Sequence, residues 1–170
     1  MATSHAEKVM LGEAGEALVL SRLLRHGHVA SLAPRTWKAD DILIHGGPSI
    51  QVKTSDKGRR PEWLLAREID VRSSRFFALA DYRDPIAPVV YVLPSEDLER
   101  AADTADRCYY EQRPLSKPFS GRTISDGWNH DVLEFPSGWL QPYREAWNLI
   151  PGPAPDPPTS VLDGGEGIHS

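Results

Sequence analysis

An acid, an amide and a lysine stand close together in this 170-residue chain. Asp41 opens the run Asp41-Ile42-Leu43-Ile44. Gln51 and Lys53 lie two residues apart in Ser49-Ile50-Gln51-Val52-Lys53-Thr54, and Gly46-Gly47-Pro48 separates the two runs. The pattern predicts two short strands joined by a tight turn. Side chains i and i+2 of a strand share a face, so Gln51 and Lys53 project together, with Val52 on the other side. A hairpin this short brings Asp41 toward the pair. Such polar groups make a poor core patch and a usable hydrolytic metal site, because carboxylate and amide oxygens suit a hard divalent cation and a lysine suits the charge of a phosphate.

The elements that must position these residues follow from periodicity and punctuation. Val9 to Gly27 reads as a helix: Leu11, Leu18, Val19, Leu23 and Leu24 fall near helical spacing, and Gly27 is a suitable C-terminal cap. Gly12 and Gly15 cost helix propensity and would admit close approach of a strand or ligand. Val29 to Ala33 reads as a short strand ended by Pro34. After the hairpin comes a polar, basic loop, Ser55 to Pro61, and then a further strand around Trp63-Leu64-Leu65. Arg75 to Asp81 and Pro88 to Leu93 read as core strands. Ser95 is expected to cap a helix running to about Asp106, with Glu96 and Asp97 in its first turn. Residues 107 to 139 read as irregular, and Pro142 to Leu149 as a short closing helix with Trp147 and Leu149 as its apolar contacts. The order predicts an α/β domain with a mixed sheet over residues 1 to 150. The Pro- and Gly-rich segment 151 to 170 is expected to be a disordered tail.

Composition narrows the function classes. The net charge is −5, which argues against a strong standalone DNA binder, but the last twenty residues hold three acids and no base, so the body is closer to neutral. One cysteine, Cys108, excludes an internal disulfide and a cysteine-based zinc cluster. No run is apolar and long enough for a membrane span. The first residues lack the pattern of a signal peptide, so a cytoplasmic location is expected.

Beyond the hairpin, the chain resembles the PD-(D/E)XK nuclease superfamily, nearest to small relatives of Holliday-junction resolvases. Gly15-Glu16 and the leucine-rich run to Arg25-His26-Gly27 resemble the family's first helix. Asp41-Ile42-Leu43-Ile44 resembles its Asp-plus-apolar strand, and Gln51-Val52-Lys53 stands where the family has (D/E)-x-K. Arg75-Phe76-Phe77-Ala78-Leu79-Ala80-Asp81 and Val90-Tyr91-Val92-Leu93-Pro94-Ser95 resemble its later strands. The resemblance spans roughly residues 9 to 105. It implies a restriction-endonuclease-like fold, a mixed β-sheet flanked by helices, and Mg²⁺-dependent hydrolysis of phosphodiester bonds in DNA, with Mn²⁺ able to substitute. It makes Asp41, the side-chain oxygen of Gln51 and the backbone carbonyl of Val52 the metal ligands. Lys53 becomes the residue that orients water and offsets phosphate charge, and Glu16 a further acid reaching the site from the helix. Gln51 departs from the common carboxylate, so the site is expected to hold metal more weakly.

Other residues are weighed against blander roles. Glu13 lies one turn from Glu16 on a similar face, but the Gly-Glu-x-x-Val pattern favours Glu16. Lys57, Arg59 and Arg60 are either a solvated loop or phosphate contacts beside the site. Arg22 and Arg25 read as solvent-facing. Trp37 and Trp63 read as core, with base stacking the lesser alternative. The six histidines show no zinc spacing. Two alternatives accompany the nuclease reading: a nuclease-fold module that binds nucleic acid or a partner protein without cutting, and an enzyme completed by a partner or by a second copy as a homodimer.

Overall fold

The computed structural model describes residues 4–37, 39–56, 58–72, 74–114, 116–117, 119–128 and 130–152. Lys57 and the expected tail from residue 153 onward therefore lie outside the described residues. The chain opens with α1 (His5–Arg25), which begins earlier than its apolar period suggests because Ser4 and Glu7 form a reciprocal capping box. It ends where Gly27 adopts φ +85°: the His28 N–H reaches the Leu23 carbonyl and the Gly27 N–H the Leu24 carbonyl, the Schellman closure that favours glycine.

Strands β1 (Ala30–Leu32), β2 (Ile42–Ile44), β3 (Ser49–Ser55), β5 (Arg75–Asp81) and β6 (Val89–Pro94) form one sheet in the order β1-β2-β3-β5-β6. Only β3 and β5 run parallel; the other pairs are antiparallel, so the sheet is mixed as expected. Between β3 and β5 the chain leaves the sheet as β4 (Glu62–Ala66), which pairs with β7 (Gly121–Ser125) in a separate two-stranded ribbon. The expected irregular region from residue 107 thus contains the end of α2 (Ser95–Gln112) and all of β7. Ser95 does not cap α2. Pro94 holds the cap position, and the Ser95 hydroxyl instead accepts from the Arg72 N–H and donates to the Arg72 carbonyl, fastening the loop before β5. The closing helix is two single 3₁₀ turns, Gln141–Tyr143 and Trp147–Leu149, broken at Glu145, whose φ is +49°. Ile150 rather than Leu149 is buried beside Trp147.

Strand alternation divides the interior. Ile42, Ile44, Ile50, Val52, Phe76, Ala78, Val90 and Val92 face α1, where Val19, Leu23 and Trp147 cover them. Phe77, Leu79, Tyr91 and Leu93 face the other way, against α2 and the ribbon residues Trp63, Leu65 and Ile124. Trp63 is fully buried and donates its indole N–H to the Ala80 carbonyl at 3.0 Å, so this tryptophan is core.

Two contacts fix the parts that matter for function. Arg75 is buried, and its Nη2 and Nε donate to Asp40 Oδ1 at 2.6 and 3.1 Å, while Ser49 Oγ donates to the same oxygen at 2.7 Å. Burial pushes the Asp40 carboxyl upward, but the hydrogen bonds from Ser49 and Arg75 and the positive charges of Arg75 and Arg72 overcome it and leave its pKa below the ordinary value. At the second contact Gly15 of α1 lies against Thr54 of β3; a Cβ on Gly15 would fall 2.2 Å from Thr54 Oγ1. Gly12 has open space where its Cβ would be, so only one of the two glycines serves a close approach.

Asp40→Asn should lower stability by about 3 kcal/mol at neutral pH, the scale of breaking a buried pair. A carboxyl whose pKa falls on folding stabilises above its unfolded value and loses that contribution as pH drops through the folded value. In denaturant titrations at successive pH values, the gap between the parent and Asp40→Asn should close as the pH falls below about 4. Gly15→Ala should cost about 2 kcal/mol through overpacking in spite of alanine's better helix propensity. Adding Thr54→Ala should restore most of it in the same titrations.

Candidate active site

Asp41 stands immediately before β2 begins, tied down by all its backbone and half of its side chain. Its N–H donates to the Ile50 carbonyl at 3.0 Å, its carbonyl accepts from Ala33 N–H at 2.8 Å, and its Oδ2 accepts from the Val52 N–H at 2.7 Å. The carboxylate therefore lies at the sheet edge, over a notch that β2 leaves beside β3. Peptide groups of alternate residues in a strand point to the same edge. Since Ile50 and Val52 both bond toward Asp41, the Val52 carbonyl lies on that edge as well, past the last β2 pairing.

Glu16 approaches from α1. It shares with Asp41 a cleft of about 530 Å³ whose walls are the first half of α1 and the segment from Leu32 to Asp41. Burial, and then the negative charge of Asp41, raise the Glu16 pKa above its ordinary value; Arg35 and Lys53 pull it down less strongly. Glu13, its neighbour one turn earlier, is engaged elsewhere: it pairs with Arg35 at 2.8 Å on the exposed rim. Of the two acids Glu16 is thus the one whose charge is set against Asp41. A carboxylate whose proton affinity is raised by the charge of a second one beside it is also a place where a cation is favoured.

Gln51 and Lys53 are half-buried on β3. They register with Phe77 and Leu79 of β5, so they project on the α2 side of the sheet, away from α1. Neither lines the cleft that holds Glu16 and Asp41. The site straddles the sheet edge, with Asp41 at the crossing point: Glu16 on one face, Gln51 and Lys53 on the other. Lys53 is still near enough for its charge to act on Glu16. Among the described residues, no three His, Cys, Asp or Glu side chains converge on one point. The oxygens of Asp41, Glu16 and Gln51 and the Val52 carbonyl are all hard donors, which suits Mg²⁺, an ion that keeps several waters and accepts few protein ligands.

Sequence reasoning missed the cleft's outer wall. Trp37, expected as core, is 53% exposed on the rim, and Arg35 and Lys8 join it there. A Trp37 N–H bond to the Pro34 carbonyl at 2.8 Å closes this turn; Pro34 was the one local signal for it. The basic loop is also held. Arg83 Nη1 donates to the Arg59 carbonyl at 2.9 Å, and Arg60 Nη1 donates to the Trp128 carbonyl at 3.0 Å, while both loop arginines stay exposed. Arg22, expected to face solvent, is half-buried and paired with Glu145; Arg25 is exposed.

No family model matches the chain, and no curated protein matches it. Among solved structures, a bacterial homing endonuclease, I-Ssp6803I, aligns with a TM-score of 0.49 and 16% sequence identity over 87% of this chain and 91% of that one. No helix among the described residues is long and apolar enough to cross a membrane.

If Asp41 raises the proton affinity of Glu16 as its position implies, Asp41→Asn should bring the Glu16 pKa down toward the ordinary carboxylate value. Carboxyl-carbon NMR titration of the two proteins measures this directly. An unchanged Glu16 would mean the two acids do not share a site.

Proposed function

We propose that the chain is a Mg²⁺-dependent endonuclease that hydrolyses phosphodiester bonds in DNA. The observation that carries this reading is Asp41: a carboxylate locked at the sheet edge through Val52 N–H, facing a second acid, Glu16, across an open cleft. The order Glu16, Asp41, Gln51, Lys53 matches the resemblance described for the sequence and supports the same assignment.

In this reading the Asp41 oxygen not bonded to Val52 would be the main metal ligand, with the Val52 carbonyl and the Gln51 amide oxygen beside it and Glu16 on the α1 side. Bound Mg²⁺ would polarise the phosphate and lower the pKa of its water. Lys53 orients the attacking water and offsets charge on the phosphate; its ammonium needs no proton transfer to do either. Glu16 would reach the same site from α1, to hold a second metal or to position Lys53 or a water. Arg59 and Arg60, with Lys57 in the same loop, would contact the phosphate backbone and make binding salt-dependent.

One observation favours the second reading, a nuclease-fold module that binds nucleic acid or a partner protein without cutting: Gln51 and Lys53 do not line the cleft of Glu16 and Asp41, and Gln51 brings no charge.

Plasmid nicking with Mg²⁺ and with Mn²⁺ separates the two. The endonuclease reading expects cleavage by the parent and a loss of at least about a hundredfold in Asp41→Ala and in Lys53→Ala, the scale of removing one group that stabilises transition-state charge. It also expects Gln51→Glu, which adds a charged oxygen donor, to cut at lower Mg²⁺ concentrations than the parent. Folded parent protein that neither cuts nor binds Mg²⁺ or Mn²⁺ at millimolar metal by calorimetry would support the binding module instead.

A further inference from the structure

A second cleft lies between the second half of α2 and the β4–β7 ribbon, and nothing in the proposed hydrolytic site uses it. It measures about 570 Å³, within the range of ligand pockets. Three large aromatic rings, those of Tyr109, Phe119 and Trp128, stand in its walls. Tyr109 and Phe119 lie 5.5 Å apart at a tilt. Trp128 is held by an indole N–H bond to the Thr123 carbonyl at 3.1 Å and stacks at 6.0 Å on Trp139 behind it. The Arg113 guanidinium sits 4.7 Å from the Tyr109 ring centre at the rim.

Two of the charges around this cleft are held in ion pairs, while Glu62 and Arg113 are exposed in its wall. Arg122 forms a two-pronged pair with Glu99, and Asp106 pairs with Arg67 at 2.6 Å. The interior also holds an uncommitted hydroxyl. Ser125 Oγ is buried without a hydrogen-bond partner, on a side chain that lines the cleft and is 2% exposed; Arg122, opposite Leu65, belongs to the other, sheet-facing side of the ribbon. A buried donor left unmade is costly, and native structures keep few of them. One uncommitted hydroxyl between aromatic walls fits a flat ring with a polar atom on its edge.

The cleft also adjoins the basic loop. Arg60 is bonded to the Trp128 carbonyl, and Glu62, the first residue of β4, lies in the cleft wall directly after that loop. A phosphate backbone crossing Arg59 and Arg60 would deliver its bases there. It would arrive on the sheet face to which Gln51 and Lys53 project.

The geometry points to this cleft as the binding site for an unstacked nucleobase, held between Tyr109, Phe119 and Trp128 and read at its edge by Ser125 Oγ. The proposal rests on the nucleic-acid reading above and deepens it: the substrate carries an unpaired or flipped base. Base–aromatic stacking needs no metal, so the site works without the hydrolytic one.

Fluorescence anisotropy with a labelled single-stranded oligonucleotide, metal omitted, tests it on the full chain. Phe119→Ala should weaken binding by about tenfold, the size of one lost base–aromatic stack. Ser125→Ala should weaken it too while leaving the melting temperature equal or higher, because a merely structural serine with an unpartnered buried hydroxyl gains from the change. An oligonucleotide of abasic sugars should bind no better to the parent than to Phe119→Ala. Parent-like binding by both variants, or equal binding of abasic and ordinary strands, overturns the proposal. Adenosine and cytidine monophosphates serve as the second probe; if they bind with the same sensitivity to both variants and the strand does not, the base is that of a free nucleotide. The two readings fail separately. Binding that depends on Ser125 and Phe119 in a protein that never nicks plasmid removes the endonuclease and keeps the pocket. Nicking lost in Asp41→Ala with strand binding intact in Phe119→Ala and Ser125→Ala does the reverse.

Discussion

A guanidinium held out of water needs a carboxylate, and the position of the candidate site follows from where Arg75 finds one. Arg75 begins β5 and is only 2% exposed, so its charge would be prohibitive without a partner. Asp40 supplies it from the end of the segment that follows β1, and Ser49 of β3 bonds the same oxygen. Three stretches distant in sequence are thereby pinned at one end of the sheet. The residue after Asp40 is Asp41, and it has little freedom left once its neighbour is fixed. Its bonds to Ile50, Ala33 and Val52 complete the restraint. An acid meant to hold a cation benefits from such a frame, since the cost of ordering it is met in folding rather than in binding.

The remaining candidate residues reach Asp41 by different routes. Glu16 depends on how near α1 can come to β3, which Gly15 permits by having no side chain opposite Thr54. Gln51 and Lys53 depend only on strand alternation, which sets them on the far face. The result is a candidate site divided by the plane of the sheet, with the charges of Asp41 and Lys53 both acting on Glu16. Such a division places Glu16 and Asp41 in one cleft, rimmed by Lys8 and Arg35, and leaves Lys53 on the side where the basic loop begins.

That second side carries a layer of its own. The β4–β7 ribbon takes the place of the helix that usually links parallel neighbours such as β3 and β5. Together with α2 it buries Trp63, Leu65 and Ile124 over Phe77 and Leu79. Because the ribbon leaves the sheet directly after the basic loop, Arg83 and Arg60 can brace that loop by its own carbonyl and by that of Trp128. A chain that is acidic overall thus presents exposed arginines in an ordered place, which is how a net charge of −5 coexists with a surface suited to an anion.

The sequence by itself determined what is local or periodic. Leucine spacing made α1 legible, Gly27 its end, Gly46-Gly47-Pro48 the turn, and β-branched and aromatic runs the strands β2, β3, β5 and β6. The acid, amide and lysine could be picked out because their types are wrong for the positions a core strand would fill. Tertiary structure alone decided what depends on distant partners. The run Gly121-Arg122-Thr123-Ile124-Ser125 has a weak pattern and becomes a strand only because β4 is there to pair with it. Trp37 and Trp63 look alike in the sequence, yet one lies exposed on a cleft and the other is wholly buried, since burial is set by what packs above a residue and not by its type. Ser95 had the chemistry of a helix cap and was drawn instead to Arg72, a partner that only folding brings near. Whether Glu16, Asp41, Gln51 and Lys53 share one face or straddle the sheet was likewise a matter of how far β2 extends and how close α1 approaches, and neither distance is written in a strand's period of two.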